Sequence, residues 1–324
     1  MDQPIPVATM NLLELQDSAI TALYTSKIEP VLQQREGERI VAVGEFWRRG
    51  VACGLLTLGV SAWAFYFFED PRFAFFALAI CGAGTAWYAW APVDAVATAT
   101  KAQALQIIAD AIGCTYSMTS FTPDGIELFK EMSLLPGYDR ASWNDRFAGV
   151  HHGCAFAFFD GHLEERVQTK NGTSWKTVFR GQLICIDFPK KFLGTTVVRR
   201  DAGVFNFLQR WSTSLQRVAL PDARLEKAFE VYSSDQVEAR YLIHPVFMER
   251  LLDMEAHFRG EKLRCAFYKG KLLIAIDGGD KFEIGSMFST LLDEGRVRGV
   301  LKDLAEIMKV IEAVLTAETS YLPS

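Results

Sequence analysis

Two stretches of the chain break the ordinary interleaving of polar and apolar residues. Residues 51–68 read VACGLLTLGVSAWAFYFF and residues 73–91 read FAFFALAICGAGTAWYAWA, and neither holds a charged side chain. At the helical rise of 1.5 Å per residue each covers roughly 27 to 28 Å, close to the ~30 Å hydrocarbon core of a bilayer. Between them lie only Glu69, Asp70, Pro71 and Arg72, with Pro71 expected to stop the first helix, so the second must run straight back beside it. The pattern predicts a transmembrane helical hairpin over residues 50–92. A buried helical pair in a soluble core is the competing reading, but such helices seldom run this far without a polar residue able to face outward. A secretory leader fits poorly, because about 50 residues precede the first span.

Arg39, Arg48 and Arg49 precede the first span and Lys101 follows the second, whereas the turn holds Arg72 alone. Basic residues favour the cytoplasmic side, so both termini are expected there. Trp47 and Trp90 should then sit at the same interface, and Gly54, Gly59, Gly82 and Gly84 should let the two backbones approach closely. Neither span carries an ionisable group for ion or proton transfer, which makes the hairpin an anchor rather than a pore.

Residues 1–49 read as an arm. Leu12, Leu13, Leu15, Ile20, Leu23 and Ile28 recur at helical intervals from about residue 8, and Pro30 should break or restart the helix. The polar face, with Glu14, Gln16, Asp17 and Lys27, is not basic, which favours packing on protein over lying on lipid.

Residues 93–324 read as a cytoplasmic domain that opens with a helix over 95–112. Strands are predicted over 147–169 and 175–188 around an Asn-Gly turn at 171–172, and another over 195–200. A helix-like stretch at 205–218 precedes a strand at 229–233. Asp235 and Glu238 then stand at capping-box spacing before a helix to about residue 243, and Pro245 opens another to 258. Strands over 263–268 and 271–276, a short one at 282–284 and a closing helix over 297–315 complete the pattern. The fold class is α+β: an N-terminal amphipathic helix, a two-helix transmembrane hairpin, and a domain with mainly antiparallel sheet and flanking helices, with a sub-boundary near 218–224.

Composition narrows the function. The apolar content of 50% and charged content of 23% confine any membrane part to a minor fraction of the 324 residues. A net charge of -5 argues against nucleic acid as a partner. The six cysteines form no C-x-x-C pair, which points to reduced, structural thiols.

The stretch FEVYSSDQVEARYLIHPVFMERL at 229–251 resembles the signature block of a bacterial membrane-protein family of unknown function, sometimes labelled galanin-like. Phe179-Arg180-Gly181-Gln182-Leu183, Phe188-Pro189-Lys190, residues 215–218 and residues 282–287 resemble that family in the expected order. The resemblance, read from the hairpin nearly to the end, implies a bacterial inner-membrane protein with two spans and a cytoplasmic domain. It supplies no catalytic residues.

Local chemistry is sparse. His151, His152 and Cys154, with Asp160 and His162 downstream, form a ligand-like cluster, but on one strand His151 would point away from His152 and Cys154. No metal site and no cofactor are therefore expected. Asp277-Gly278-Gly279-Asp280 has the residues a turn demands. Phosphate loops and a G-x-S-x-G elbow are missing from the sequence. Asp235, Glu238 and Arg240 invite an acid-base role, against which stands a cap for the acids and a salt bridge for the arginine. Arg166, Lys170, Lys176, Arg180, Lys190, Lys191, Arg199 and Arg200 stand against Asp187 alone, a basic island in an acidic chain. Lys176, Arg180, Lys190, Lys191, Arg199 and Arg200 are the expected binding surface, for anionic lipid or an acidic protein partner. The function expected is a membrane-anchored, non-enzymatic binding or scaffold domain; the alternative is an enzyme acting on a membrane-proximal substrate.

Overall fold

The computed structural model describes residues 17–170, 172–188, 192–200, 215–220, 223–258, 263–279, 282 and 286–316. The chain divides into a helical unit, Asp17–Ile107 with Glu283–Arg298, and a sheet unit, Ile108–Phe282 with Gly299–Ser324. The fold is α+β, as the sequence predicts.

In the helical unit α1 (Asp17–Leu23) passes through a π-helical turn, Tyr24–Ile28, into α2 (Glu29–Phe68). Pro30 stands in the first turn of α2 directly after the π-helical turn, and the helical run continues through it. Residues 8–16 of the expected amphipathic helix lie outside the described residues. Glu69, at φ 52°, ends α2 and donates its N–H to the Phe65 carbonyl at 3.0 Å. Asp70 then caps α3 (Pro71–Ile112), its Oδ1 accepting the Arg72 N–H at 2.9 Å. Pro71 therefore opens the second helix, and the left-handed Glu69 stops the first. The apolar stretch and the polar helix expected after it are one helix of 42 residues, with Pro92 in its interior.

The two helices are antiparallel: Phe68 stacks on Phe73 at 4.4 Å, Arg49 lies over Tyr88 at 4.8 Å, Phe46 meets Trp90 at 5.8 Å and Arg35 Nε bonds Gln103 at 3.1 Å. Phe46 also touches Trp47 at 5.3 Å, so Trp47 and Trp90 mark one level of the hairpin. Gly54, Gly59, Gly82 and Gly84 do not carry the approach, since a Cβ on any of them would meet nothing within 4 Å. Within the apolar stretches the buried positions are Thr57, Ser61 and Ala64 on one helix and Ala89 on the other, with Val93 following it, mostly small side chains at helical spacing. Both helices are long and apolar enough to cross a membrane.

Residues 286–298 pack on the same helices. Phe288 lies 5.4 Å from Phe46 and 5.7 Å from Trp90, Arg39 donates to the Met287 carbonyl at 3.0 Å, and Glu36 accepts the Leu291 N–H at 3.0 Å. The Arg39 hydrogen bond, aided by that N–H, holds the Glu36 carboxyl below the usual carboxylate range.

The sheet unit holds β1 (Thr115–Ser117), α4 (Ile126–Glu131), β2 (Arg140–His151), β3 (Cys154–Thr169), β4 (Gly172–Asp187), β5 (Thr196–Arg200), β6 (Gln216–Val218), α5 (Ala223–Ala228), β7 (Phe229–Ser233), α6 (Gln236–Leu242), α7 (Pro245–Phe258), β8 (Arg264–Tyr268), β9 (Lys271–Asp277) and most of α8 (Glu294–Thr316). Among the described residues the strands form one nine-stranded antiparallel sheet in the order β1-β2-β3-β4-β9-β8-β5-β7-β6. One face packs Phe129, Leu134, Phe159, Leu183, Ala266 and Leu273. Alternation sends Phe267 to the other face, where it meets Phe188, Phe192 and Phe247. Burial on both faces explains the unbroken apolar run LLIAI in β9. At Gly181 a Cβ would fall 1.9 Å from the Ile276 carbonyl oxygen, so glycine lets β4 and β9 close up there.

The strand expected over 147–169 is two strands. β2 ends at His151, which pairs with Cys154 across a two-residue turn, His152 at φ 47° and Gly153 at φ 80°. Both positive φ values match a type I′ hairpin turn. At the next turn Thr169 pairs with Gly172, so β4 starts three residues before the expected Trp175. The helix-like reading of 205–218 fails at its end, where Gln216–Val218 pairs with β7; residues 205–214 lie outside the described residues. So do 283 and 284 of the short expected strand, while Phe282 is buried against Phe147 at 5.3 Å.

Candidate functional site

The block at 229–251 is a set of structural connections. Asp235 Oδ1 accepts the N–H groups of Val237 at 2.8 Å and Glu238 at 3.0 Å, capping α6. Glu238 does not complete a capping box. It reaches instead to the loop before β5, where its two oxygens accept the N–H groups of Leu193 at 3.0 Å and Gly194 at 2.8 Å. Ser234 Oγ accepts the Thr195 N–H at 2.8 Å beside it. Arg240 is exposed, and among the described residues no salt bridge engages it. Among the described residues, then, neither the expected ion pair for Arg240 nor an acid-base constellation around these three residues is present.

His244 is held below its ordinary pKa by burial, and its ring is hydrogen-bonded to the Ala313 backbone. Its Nδ1 accepts the Phe247 N–H at 3.2 Å, so it also caps α7. One imidazole thereby connects the block to the end of α8.

The basic residues are dispersed. Lys176 and Arg180 are exposed on β4, opposite Glu165 and His162 respectively. Arg199 on β5 is aligned with Glu230 and Arg264, and burial lowers its guanidinium pKa while Glu230 opposes that shift. Arg200 pairs with the buried Glu255, whose carboxyl pKa burial pushes up and Arg200 holds back. Two strands, β9 and β8, separate β4 from β5, roughly 14 Å at the usual strand spacing. Lys190 and Lys191 lie outside the described residues. What remains together is the far half of the β3–β4 hairpin. Residues 168–170 and 172–177 are exposed throughout, among them Lys170, Lys176 and Trp175, with the Arg140 guanidinium 4.1 Å above the Trp175 ring.

The five-membered ligand-like cluster comes apart. Cys154 is buried, Asp160 accepts a hydrogen bond from Gln182 at 3.1 Å inside the sheet, and His162 meets Thr177 at 2.9 Å. His151 and His152 do converge, because the turn swings the second ring back to 4.3 Å from the first. Their partner is Glu312 on α8: its Oε2 bonds His151 Nε2 and lies 3.0 Å from His152 Nε2. No local pattern announces Glu312, which lies 160 residues along the chain from His152.

Four cysteines, Cys114, Cys154, Cys185 and Cys265, are buried, and Cys53 and Cys81 lie in the apolar stretches of α2 and α3. Burial pushes the thiols of Cys114 and Cys185 up to about 11, and that of Cys265 further.

Residues 177–315 match the model of a family described as "Protein of unknown function (DUF3137)". That stretch contains every block on which the sequence resemblance rests and runs from β4 to the end of α8; the hairpin lies outside it. Among curated proteins none matches. One solved structure, the "crystal structure of the mycobacterial trehalose monomycolate transport factor A, TtfA", aligns over 65% of this chain and 95% of its own. The identity is 13% and the TM-score 0.34, a likeness that carries no argument about fold or function.

Proposed function

We propose that the chain is a membrane-anchored binding module of the bacterial inner membrane. Residues 51–68 and 73–91 cross the bilayer, both termini lie in the cytoplasm, and the sheet unit is a non-enzymatic scaffold that takes an anionic partner. The observation that carries the anchor is outward exposure of large apolar side chains. Leu55, Tyr66, Phe75, Ile80 and Trp87 are 67%, 84%, 68%, 72% and 79% exposed. Only 11% and 6% of the two most apolar windows are buried, whereas a helix pair in a soluble core would be mostly covered. Exposing such a surface to water would cost about 25 cal/mol per Å², and lipid removes that cost.

The binding role is supported by the block at 229–251, where Asp235 and Glu238 are occupied by backbone N–H groups, and by Lys170, Lys176 and Trp175 along an exposed hairpin. The anionic lipids of the cytoplasmic leaflet attract Lys and Arg at ~1 kcal/mol each, and an indole suits the same interface. The test is purification of the full-length protein from membranes in mild detergent, with mass spectrometry of what accompanies it. An anionic lipid or acidic protein retained by the wild type and lost in Lys170→Glu/Lys176→Glu supports the reading. Equal retention by both overturns the hairpin as the surface. Arg199 and Arg200 are unsuited to this test, because reversing them breaks contacts with Glu230 and the buried Glu255.

A further inference from the structure

The side chains of His151, His152 and Glu312 offer one ligand atom each, and the three atoms lie within 4.8 Å of one another. In a tetrahedral zinc site the metal stands ~2.0 to 2.2 Å from imidazole nitrogen and carboxylate oxygen, which spaces neighbouring ligand atoms by about 3.3 Å. The 3.0 Å between His152 Nε2 and Glu312 Oε2 is already near that spacing. Without a cation, a single carboxylate oxygen faces two imidazole nitrogens, each of which must present a proton to it. A divalent ion satisfies the same three lone pairs at once.

The backbone explains the convergence. Successive residues of a strand point to opposite faces, so adjacent histidines should diverge. His152, however, stands at φ 47° in the turn, a region that non-glycine residues seldom occupy, and this brings both rings to one side. Glu312 sits between Ile311 and Ala313, which are 0% and 8% exposed, and the carbonyl side of that helical turn is bonded by His244. Each ligand therefore projects from a fixed backbone.

We propose that His151, His152 and Glu312 bind one divalent transition-metal ion of the zinc class, which fastens the β2–β3 turn to α8. Two imidazoles exclude Mg2+ and Ca2+, which take oxygen ligands, and select Zn2+, Co2+ or Ni2+. Three protein ligands leave a coordination position for water on the outer side, where the His152 side chain is 53% exposed. Because the metal displaces imidazole protons, affinity falls as the pH is lowered.

The full-length protein in detergent, stripped with a chelator, is titrated with Co2+ followed by visible absorption, and with Zn2+ followed by thermal unfolding. One equivalent should bind, and Zn2+ should raise the melting temperature. Loss of an outer partner of a ligand already weakens metal binding by about 10 to 100-fold, so His152→Asn and Glu312→Gln should each weaken it by at least about 100-fold and abolish the thermal shift. Asparagine suits the left-handed backbone at 152, so His152→Asn keeps the turn and its metal-free melting temperature. His257→Asn, which breaks the pair with Asp303, should leave metal binding unchanged. No saturable equivalent in the wild type, or one that persists in His152→Asn, overturns the site.

Discussion

The hydroxyls of Thr57 and Thr85 lie 3.0 Å apart, joining α2 to α3 in the middle of their apolar stretches. Ser61 bonds back to the Thr57 carbonyl at 2.8 Å, so both polar side chains of this level of α2 are satisfied within the hairpin. Interhelical hydrogen bonds in bilayers average about 0.6 kcal/mol and reach about 1.7. Thr57→Val should weaken the hairpin by that order. Unfolding in detergent followed by far-UV circular dichroism checks it, and Thr57→Ser, which keeps the hydroxyl, should stay near wild type.

Leu55 and Ile80 face outward from the two helices. On insertion scales a lysine costs about 2.5 to 3.5 kcal/mol at the centre of a spanning helix, the figure that applies nearer Ile80, and less toward the ends, where Leu55 lies. Leu55→Lys with Ile80→Lys should shift the protein from the membrane fraction to the alkaline-carbonate supernatant or to degradation. Full retention in the membrane fraction would contradict the assignment of these stretches as spans.

Asp235 and Glu238 separate structure from chemistry. Removing an N-cap costs about 0.5 to 2 kcal/mol, and a domain of 150 to 250 residues loses roughly 2 to 4 °C of melting temperature per kcal/mol. Asp235→Ala should lower the melting temperature by a few degrees, and Asp235→Ser, another good cap, should restore it. A Ser variant that is stable yet fails to bind the partner would return this block to the functional candidates.

Glu36 gives the helical unit an acid-sensitive contact. Its folded-state pKa lies below the ordinary 4.5, chiefly through the Arg39 hydrogen bond. Its contribution is therefore fully present above the unfolded value and is lost as pH falls through the lowered folded value. Glu36→Gln should be less stable than wild type at pH 7, and the gap should narrow below about pH 4.5. Melting temperatures of the two proteins between pH 3 and 7 check the sign; a gap that widens in acid would contradict it.

What the sequence discloses follows from how locally each feature is encoded. The two long apolar helices are legible because absence of charge over 18 residues needs no partner to interpret, and α6, α7, β8 and β9 are legible because Asp235, Pro245 and Gly270 punctuate them. The turn at His152–Gly153 escapes because histidine, unlike Asn or Asp, is a weak turn signal even where it adopts the same backbone. The helix contact escapes too. Glycines suggest close approach, but Thr57, Ser61, Ala64 and Ala89 occupy the interface, and which small residues face inward depends on helix rotation. Glu312 beside His151 and His152, and residues 286–298 against Glu36, Arg39 and Phe46, are pairings across about half of the chain or more that no periodicity records.

The placement of the cysteines makes the wild-type chain its own blank in a labelling experiment. A maleimide reacts with thiolate, and burial keeps Cys114, Cys185 and Cys265 protonated at neutral pH and covered by side chains. Cys154 is covered as well, and Cys53 and Cys81 sit where a water-borne, membrane-impermeant reagent does not enter if the stretches span. A single Asp70→Cys substitution in the turn between the helices would therefore report, against a silent background, which side of the membrane that turn occupies.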